Sequence, residues 1–360
     1  MTKMDIEEKI NLIKRPPTEE IINLKELKEL FETKEHPIAY NGFEPSGQMH
    51  LGTGLISAFK MMDFIEAGIK YKVLLADWHA FLNKKMGGNI DKIKKVAEYF
   101  KAGWSALGVN DVEYIYASDL IANESYWEKV MRISTKTTLK RIQRCLPILG
   151  RTKNEGLTFA HLLYPALQCA DIFELEVDIN QLGMDQRNVN MLAREVGPKL
   201  GFWKPVAVHH HLLMGLILQE RMGYDVDINI DKQISSKQSK SKPDSAIFIL
   251  DSPDEIRRKI KKAYCPEKIL DQNPIYEIVK YIILRKKDAT FEIKRKSQFG
   301  GDITVTLEEF ERLYKNGDLH PKDVKKNVSE YLIKILEPVR EYFKNNKKLI
   351  SVFKEEKITR

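Results

Sequence analysis

Cysteine is scarce in this 360-residue chain: Cys145, Cys169 and Cys265 stand far apart and odd in number. They match no metal-ligand spacing and argue against a disulfide framework. Long apolar runs are missing too; none approaches the roughly 20 residues of a membrane span. The charged start, MTKMDIEEKINLIKRPP, lacks the apolar core of a signal peptide. No internal repeat or low-complexity tract interrupts the chain. These gaps point away from secreted, membrane-spanning and fibrous proteins and toward a cytoplasmic one of two or three domains. Hydrophobic residues at 43% and charged ones at 31% are ordinary for a globular protein. The net charge of +8 favours a polyanionic partner such as nucleic acid, yet a lysine-rich surface kept basic for solubility would look the same.

The pattern along the chain predicts an α/β fold. Residues 1–36 read as a charged helical segment, with Thr18 and the following glutamates as a helix start. HPIAYNGF (36–43), YKVLLAD (71–77), VEYIYAS (112–118), ELEVDINQLG (174–183) and KPVAVHHH (204–211) read as strands, and the segments between them as helices. Residues 124–145 read as one long basic helix. Near-continuous apolar strands alternating with helices argue a doubly wound, Rossmann-like parallel sheet over residues 37–234. Within it, residues 217–234 stand out: Val226, Ile228 and Ile230 alternate with acidic residues and asparagine, as an edge strand or hairpin arm would. A lysine- and serine-rich loop spans 235–250. From Ser252-Pro253-Asp254-Glu255, a good helix start, the pattern turns all-helical over 251–360.

Two stretches carry chemistry. EPSGQMHLGTG (44–54) follows the first strand of the sheet, where ligands of such folds bind. Gly52 and Gly54 open a helix whose N-terminus favours an anion, and His50 could donate to charge developing on a phosphate. An ordinary turn with an exposed histidine fits these residues equally. SSKQSKSKPDSAIF (235–248) sets Lys237, Lys240 and Lys242 among serines. That composition suits a mobile loop closing on a polyphosphate, or a solvated basic linker. A third feature, VAVHHH, places only His209 and His211 on one strand face with no evident carboxylate or cysteine partner, so no metal site is expected.

Taken together and in this order, HLGT (50–53) and KQSKS (237–241) resemble the two signatures of class I aminoacyl-tRNA synthetases. AYNGFEPSGQMHLG, LLADWHAFLN, TTLKR, YPALQCADIFELEVDINQLGMDQRNVNMLAREV, SPDEIRRKIKKAYCP, FGGDITV and DLHPKDVKKNVSEYLIKILEPVR extend the likeness over roughly residues 8–340. They resemble the archaeal and eukaryotic type of tyrosyl-tRNA synthetase.

The resemblance implies a catalytic domain followed by a helical anticodon-binding domain, a homodimer, and the substrates L-tyrosine, ATP with Mg²⁺, and tRNA(Tyr). Tyr40 and Asp171 would hold the substrate phenol. Tyr164, Gln168 and Gln186 would hold its α-amino group, and His79 and Ala76 would wall the pocket. The spacing of Tyr164, Gln168 and Asp171, at i, i+4 and i+7, does put them on one helical face. For ATP, the resemblance implies His50, Thr53, Lys237 and Lys240 at the phosphates, with Gly42, Gly52, Asp185 and Met214 about the nucleoside. For tRNA it implies Arg141, Arg144 and Arg187 at the acceptor stem. Phe299, His320, Asp323 and Lys326 would meet the anticodon, with stacking by the aromatic ring and edge reading by the carboxylate. Thr53 departs from the second signature histidine and Gln238 from the usual methionine. The rival readings are a tryptophanyl-tRNA synthetase, which needs no phenol-binding acid, and a catalytically silent RNA-binding relative.

Overall fold

Six strands share one sheet in the computed structural model, which describes residues 4–146, 156–225, 227–238, 240 and 242–353. They are β1 (Thr18–Ile22), β2 (Ile38–Phe43), β3 (Lys70–Leu75), β4 (Val112–Tyr116), β5 (Ile179–Gly183) and β6 (Val206–His210). Their spatial order is β1-β6-β5-β2-β3-β4. All pairs are parallel except β1 with β6. Helices cover both faces, so β5 is buried at every position, the amides of Asn180 and Gln181 included. The chain winds outward from β2 in both directions. The switch point therefore lies between β2 and β5, where Tyr40 pairs with Asn180. A crevice opens at the carboxyl ends of the strands at such a point.

Several local expectations change. Thr18 starts edge strand β1, not a helix; its hydroxyl donates to the Ile13 carbonyl at 2.6 Å. The free edge of β6 needs a partner, and Thr-Glu-Glu-Ile-Ile supplies one. The helix after it starts at Asn23, whose side chain accepts from the Glu26 N–H. The basic helix is two helices, Glu124–Thr135 and Leu139–Gln143, with Thr138 capping the second. Residue 174 ends the long helix Phe159–Glu174 and does not begin a strand. The alternating stretch before the lysine loop is no hairpin arm. Val226 lies outside the described residues, and Ile228–Ser236 is a helix capped by Asp227. Buried Asp231 anchors that helix by accepting from Arg221 (2.8 Å) and the Tyr224 N–H (2.6 Å). Aspartates read as the polar face of a strand are in fact a cap and a loop anchor.

Beyond residue 250 the chain is mainly helical: Pro253–Lys262, Pro274–Ile278, Leu307–Asn316, Pro321–Ile335 and Glu337–Asn345. Ser252 caps the first as its sequence suggested. One short hairpin, β7 (Phe291–Ile293) with β8 (Ile303–Val305), is added to this part. A single apolar core runs from the sheet into these helices, joining Met49, Ile249, Ile256, Val328 and Phe343. The Tyr99 ring lies 5.1 Å from Phe343 and 5.0 Å from Phe353. Buried Asp63 adds an ionic tie, meeting Arg15 (2.7 Å), Lys60 (3.1 Å) and Arg285 of the C-terminal part. A carboxylate is tolerated there because three cations surround it.

Candidate active site

The turn after β2 shows why an imidazole sits among glycines. Residues 52–56 form a wide helical turn, with the Ile56 N–H reaching back to the Leu51 carbonyl at 2.9 Å. His50 caps it: its Nδ1 accepts the N–H of Gly52 at 3.1 Å and of Thr53 at 3.4 Å. Burial, then the Lys240 and Lys237 ammonium groups, draw the His50 pKa down to about 3. The ring is therefore neutral at pH 7. With Nδ1 accepting, its proton rests on Nε2, which is 3.3 Å from the Thr53 hydroxyl. Thr53 thus stands against the imidazole at the position of the second signature histidine. Gly52 has little room for a side chain, since an added Cβ would lie 3.0 Å from the His50 ring.

A cleft opens beside this turn, lined by Gly42, His50, Gly52, Thr53, Asp185 and Lys237 among others. Lys237 donates to Asp185 at 2.6 Å. Burial alone would raise the Asp185 pKa, but the Lys237 ammonium outweighs it and keeps the carboxyl below its ordinary value. Lys240 donates to the Ser46 hydroxyl at 3.0 Å and lies 5.0 Å from the centre of the Phe100 ring. Burial, with help from Lys85, lowers the Lys240 pKa to about 7. Ser239 and Ser241, which flank it, lie outside the described residues. Gln238 also lines the cleft, with both amide atoms buried and without a hydrogen bond. Leu212 and Leu213 form the adjacent wall. The Met214 N–H is already engaged by Glu277 of the C-terminal helices at 2.7 Å, so that group is not available to a nucleotide.

A second polar cluster lies on the face of the sheet that carries Tyr40. Helix Phe159–Glu174 brings Tyr164, Gln168 and Asp171 onto one side, as their spacing predicted. Asp171 is only 1% exposed. Its Oδ1 accepts from the Tyr126 hydroxyl at 2.8 Å, and its Oδ2 is 3.1 Å from His79 Nε2. Burial would lower the His79 pKa, but the Asp171 charge raises it. The Tyr40 hydroxyl is buried and makes no hydrogen bond of good geometry. Tyr164 donates to Glu44 at 2.9 Å, and Gln168 to Gln186 at 3.1 Å. The rings of His79 and Tyr164 meet edge to face, 5.0 Å apart. Sequence reasoning missed Glu44, Tyr126 and His210. His210 lines the cleft and pairs with Gln181 at 2.8 Å.

The histidine run has partners throughout. His209 meets Glu20 (2.8 Å) and Asn190 (2.9 Å), and His211 lies 3.1 Å from both Glu19 and Glu277. The acceptor-stem candidates are similarly engaged. Arg187 forks onto Glu20 of β1, and Arg141 onto Glu195, while Arg144 is exposed. His209 and Arg187 pull the Glu20 pKa, which burial would raise, down to about 2. In the C-terminal part, His320 caps helix Pro321–Ile335, and Asp323 and Lys326 lie in its first two turns. Asn327 of the same helix exchanges two hydrogen bonds with the Lys294 backbone, which docks the β7–β8 hairpin alongside. Ser297–Phe299 is a short turn in that hairpin; the Phe299 side chain lies outside the described set.

A six-stranded doubly wound sheet with a histidine-capped turn and a lysine loop across one cleft defines a nucleotide-handling enzyme of the synthetase class. A family model for class I tRNA synthetases of the W and Y type matches residues 32–337, and the chain belongs to that family. Its curated relatives include the tyrosine–tRNA ligase of Pyrococcus horikoshii, 45% identical over 99% of this chain and 100% of the relative. The crystal structure of the P. horikoshii tyrosyl-tRNA synthetase complexed with L-tyrosine superimposes with a TM-score of 0.91 at 42% identity, covering 98% of this chain and 100% of the other. That from Archaeoglobus fulgidus, also complexed with L-tyrosine, gives 0.83 at 39% identity over 94% and 99%. The tyrosyl-tRNA synthetases of archaeal type are therefore the branch in which this chain stands.

Proposed function

We propose that this chain charges tRNA(Tyr) with L-tyrosine in two steps at the β2/β5 crevice. The tyrosine carboxylate attacks the α-phosphorus of ATP, giving tyrosyl-adenylate and pyrophosphate. The terminal ribose hydroxyl of the tRNA then attacks the activated carbonyl. No side-chain nucleophile takes part, so the rate comes from positioning and from charge stabilisation. Mg²⁺ enters with ATP as part of the substrate.

Asp171 accepts a hydrogen bond from the substrate hydroxyl, and the Tyr40 hydroxyl donates to the same oxygen. Tyr164, Gln168 and Gln186 surround the α-ammonium group, with Glu44 as its counter-charge. His50 donates from Nε2 to the α-phosphate. Lys237 leaves Asp185 for the departing phosphates, which frees Asp185 for the ribose, and Lys240 joins from the other side. The observation that carries this reading is a carboxylate sunk in the protein beside a phenol hydroxyl with no partner. A substrate hydroxyl satisfies the Tyr40 donor and takes a remaining lone pair of Asp171, whereas a phenylalanine ring would leave the Tyr40 hydroxyl unpaired and the carboxylate one donor short. Tyrosine-selecting synthetases are themselves a standard illustration of such rejection.

For tRNA, exposed Arg144 offers a cation, and Arg141 and Arg187 exchange their glutamates for acceptor-stem groups. The hairpin turn at Phe299 with His320, Asp323 and Lys326 takes the anticodon. Such contacts predict binding that weakens steeply with salt. Large apolar side chains stand exposed on three neighbouring helices: Trp127, Met131, Leu139 and Phe159, the last 78% exposed. A patch of this kind marks a subunit interface, and we assign it to a homodimer working in the cytoplasm. ATP–pyrophosphate exchange with single amino acids tests the reading. Tyrosine is expected to support exchange, and tryptophan and phenylalanine to give little. Tryptophan-dependent exchange would favour the sister specificity, and no exchange with any amino acid would leave an RNA-binding relative.

A further inference from the structure

Asp171 is not held by the pocket residues alone. Tyr126 projects from helix Glu124–Thr135, which packs along the helix bearing Asp171, and it is fully buried. Its single hydroxyl proton is shared by two acceptors, Asp171 Oδ1 at 2.8 Å and the Leu167 carbonyl at 3.2 Å. The shorter, charge-assisted leg dominates. His79 Nε2 stands 3.1 Å from the other oxygen, Oδ2. A carboxylate has about four lone-pair sites. The Tyr126 bond takes one of them with good geometry, while His79 lies against the other oxygen as a charge contact without such a bond, so Tyr126 is the donor that orients the group. Burial and the Asp171 charge push the Tyr126 pKa far up, so it stays a protonated donor at any working pH. The Tyr40 hydroxyl is likewise buried and makes no hydrogen bond of good geometry, and burial together with the same Asp171 charge pushes its pKa up.

We propose that Tyr126 is a specificity-determining positioning residue, which aims the Asp171 carboxylate at the substrate phenol and thereby sets the preference for tyrosine over phenylalanine. The proposal rests on Asp171 being the phenol acceptor. Without the Tyr126 donor, Asp171 is free to swing toward His79, its remaining partner. The bond to a tyrosine hydroxyl then weakens, while an apolar phenylalanine ring loses nothing.

Tyr126→Phe removes one oxygen and keeps the ring, so the buried packing survives. Tyrosine- and phenylalanine-dependent ATP–pyrophosphate exchange on the full chain is the assay. The KM for tyrosine is expected to rise about tenfold or more, the range of one hydrogen bond to a charged group. The kcat should stay within about threefold, as expected for loss of uniform substrate binding. The KM for ATP and the kcat/KM for phenylalanine should hold, so the tyrosine-to-phenylalanine ratio drops about tenfold. The tyrosine-induced rise in melting temperature should shrink in parallel. A ratio that is unchanged or larger, or an equal loss for both amino acids, overturns the proposal and leaves Tyr126 a packing residue. Asp171→Asn is measured beside it. A wild-type ratio in Asp171→Asn would remove the underlying assignment of Asp171. A collapsed ratio there with an intact one in Tyr126→Phe would remove only the role of Tyr126.

Discussion

The two halves of the crevice hold their charges in opposite ways. On the amino-acid side, Asp171 is oriented by Tyr126 and lies against His79, and all three side chains sit on helices or in the core. On the side proposed for the nucleotide, Lys237 and Lys240 follow the end of a helix and meet Asp185 and the Ser46 hydroxyl. Selection between tyrosine and phenylalanine turns on one hydroxyl, so its acceptor must not move. Phosphates, by contrast, must be gripped and then released as pyrophosphate, so their cations need somewhere to wait. The Lys237–Asp185 pair leaves no charge stranded, since each partner neutralises the other, and in the proposed mechanism ATP separates them.

The sharpest way to break this contrast is to remove the waiting cation. Lys237→Ala is expected to lower kcat for tyrosine-dependent exchange by about 10²–10³, the usual cost of losing one preorganised donor to transition-state charge. The tyrosine dissociation constant, read by equilibrium binding without ATP, should stay within about twofold. If tyrosine binding weakened in step with kcat, the two halves would not be separable.

Legibility in the sequence follows the same divide. Tyr164, Gln168 and Asp171 could be read because a helix turns fixed spacing into a shared face. His50 could be read because Gly52 and Gly54 announce a turn, although its capping bonds needed coordinates. Tyr126 and Glu44 could not be read. Their partners are 45 and 120 residues away, and nothing local marks a tyrosine in ESYW or the glutamate before a Pro-Ser-Gly turn. Strand β1 was hidden because Thr18-Glu19-Glu20 carries helix-start chemistry, and only the open edge of β6 decides otherwise. The helix before the lysine loop was hidden because Asp227 and Asp231 mimic strand alternation while serving as cap and anchor.

A smaller effect tests whether the wall between the two halves is as fixed as the amino-acid side. His211 directly follows β6 beside the cleft and bridges Glu19 to Glu277 of the C-terminal helices. Burial would lower its pKa, but the two carboxylates raise it to about 9. A folded-state pKa raised above the unfolded value of about 6.5 gives stability that is complete below pH 6.5 and lost as pH climbs through 9. On the order of 3 kcal/mol should disappear over that interval. Denaturant unfolding of the wild type and His211→Asn is the measurement. The difference between them should be largest near pH 6.5 and shrink toward pH 9.5, and a pH-independent difference would mean that the bridge is not ionic.

The mildest effect concerns Lys240 and sharpens the loop side. Its pKa of about 7 in the free protein means that near neutrality only about half the molecules carry the ammonium charge that a phosphate needs. Bound triphosphate favours the protonated form, so ATP binding draws in a proton, and ATP affinity must fall as pH rises through 7. Linkage limits the slope to tenfold per pH unit, so the KM for ATP is expected to rise several-fold, up to about tenfold, between pH 7 and 8.5. The KM for tyrosine should stay flat over the same range, because the Tyr126 and Tyr40 hydroxyls keep their protons there. Lys240→Arg, whose guanidinium does not titrate, should flatten the ATP profile while keeping exchange activity. A slope that persisted in Lys240→Arg would place the titrating group elsewhere in the crevice, and with it the cation that waits for the phosphates.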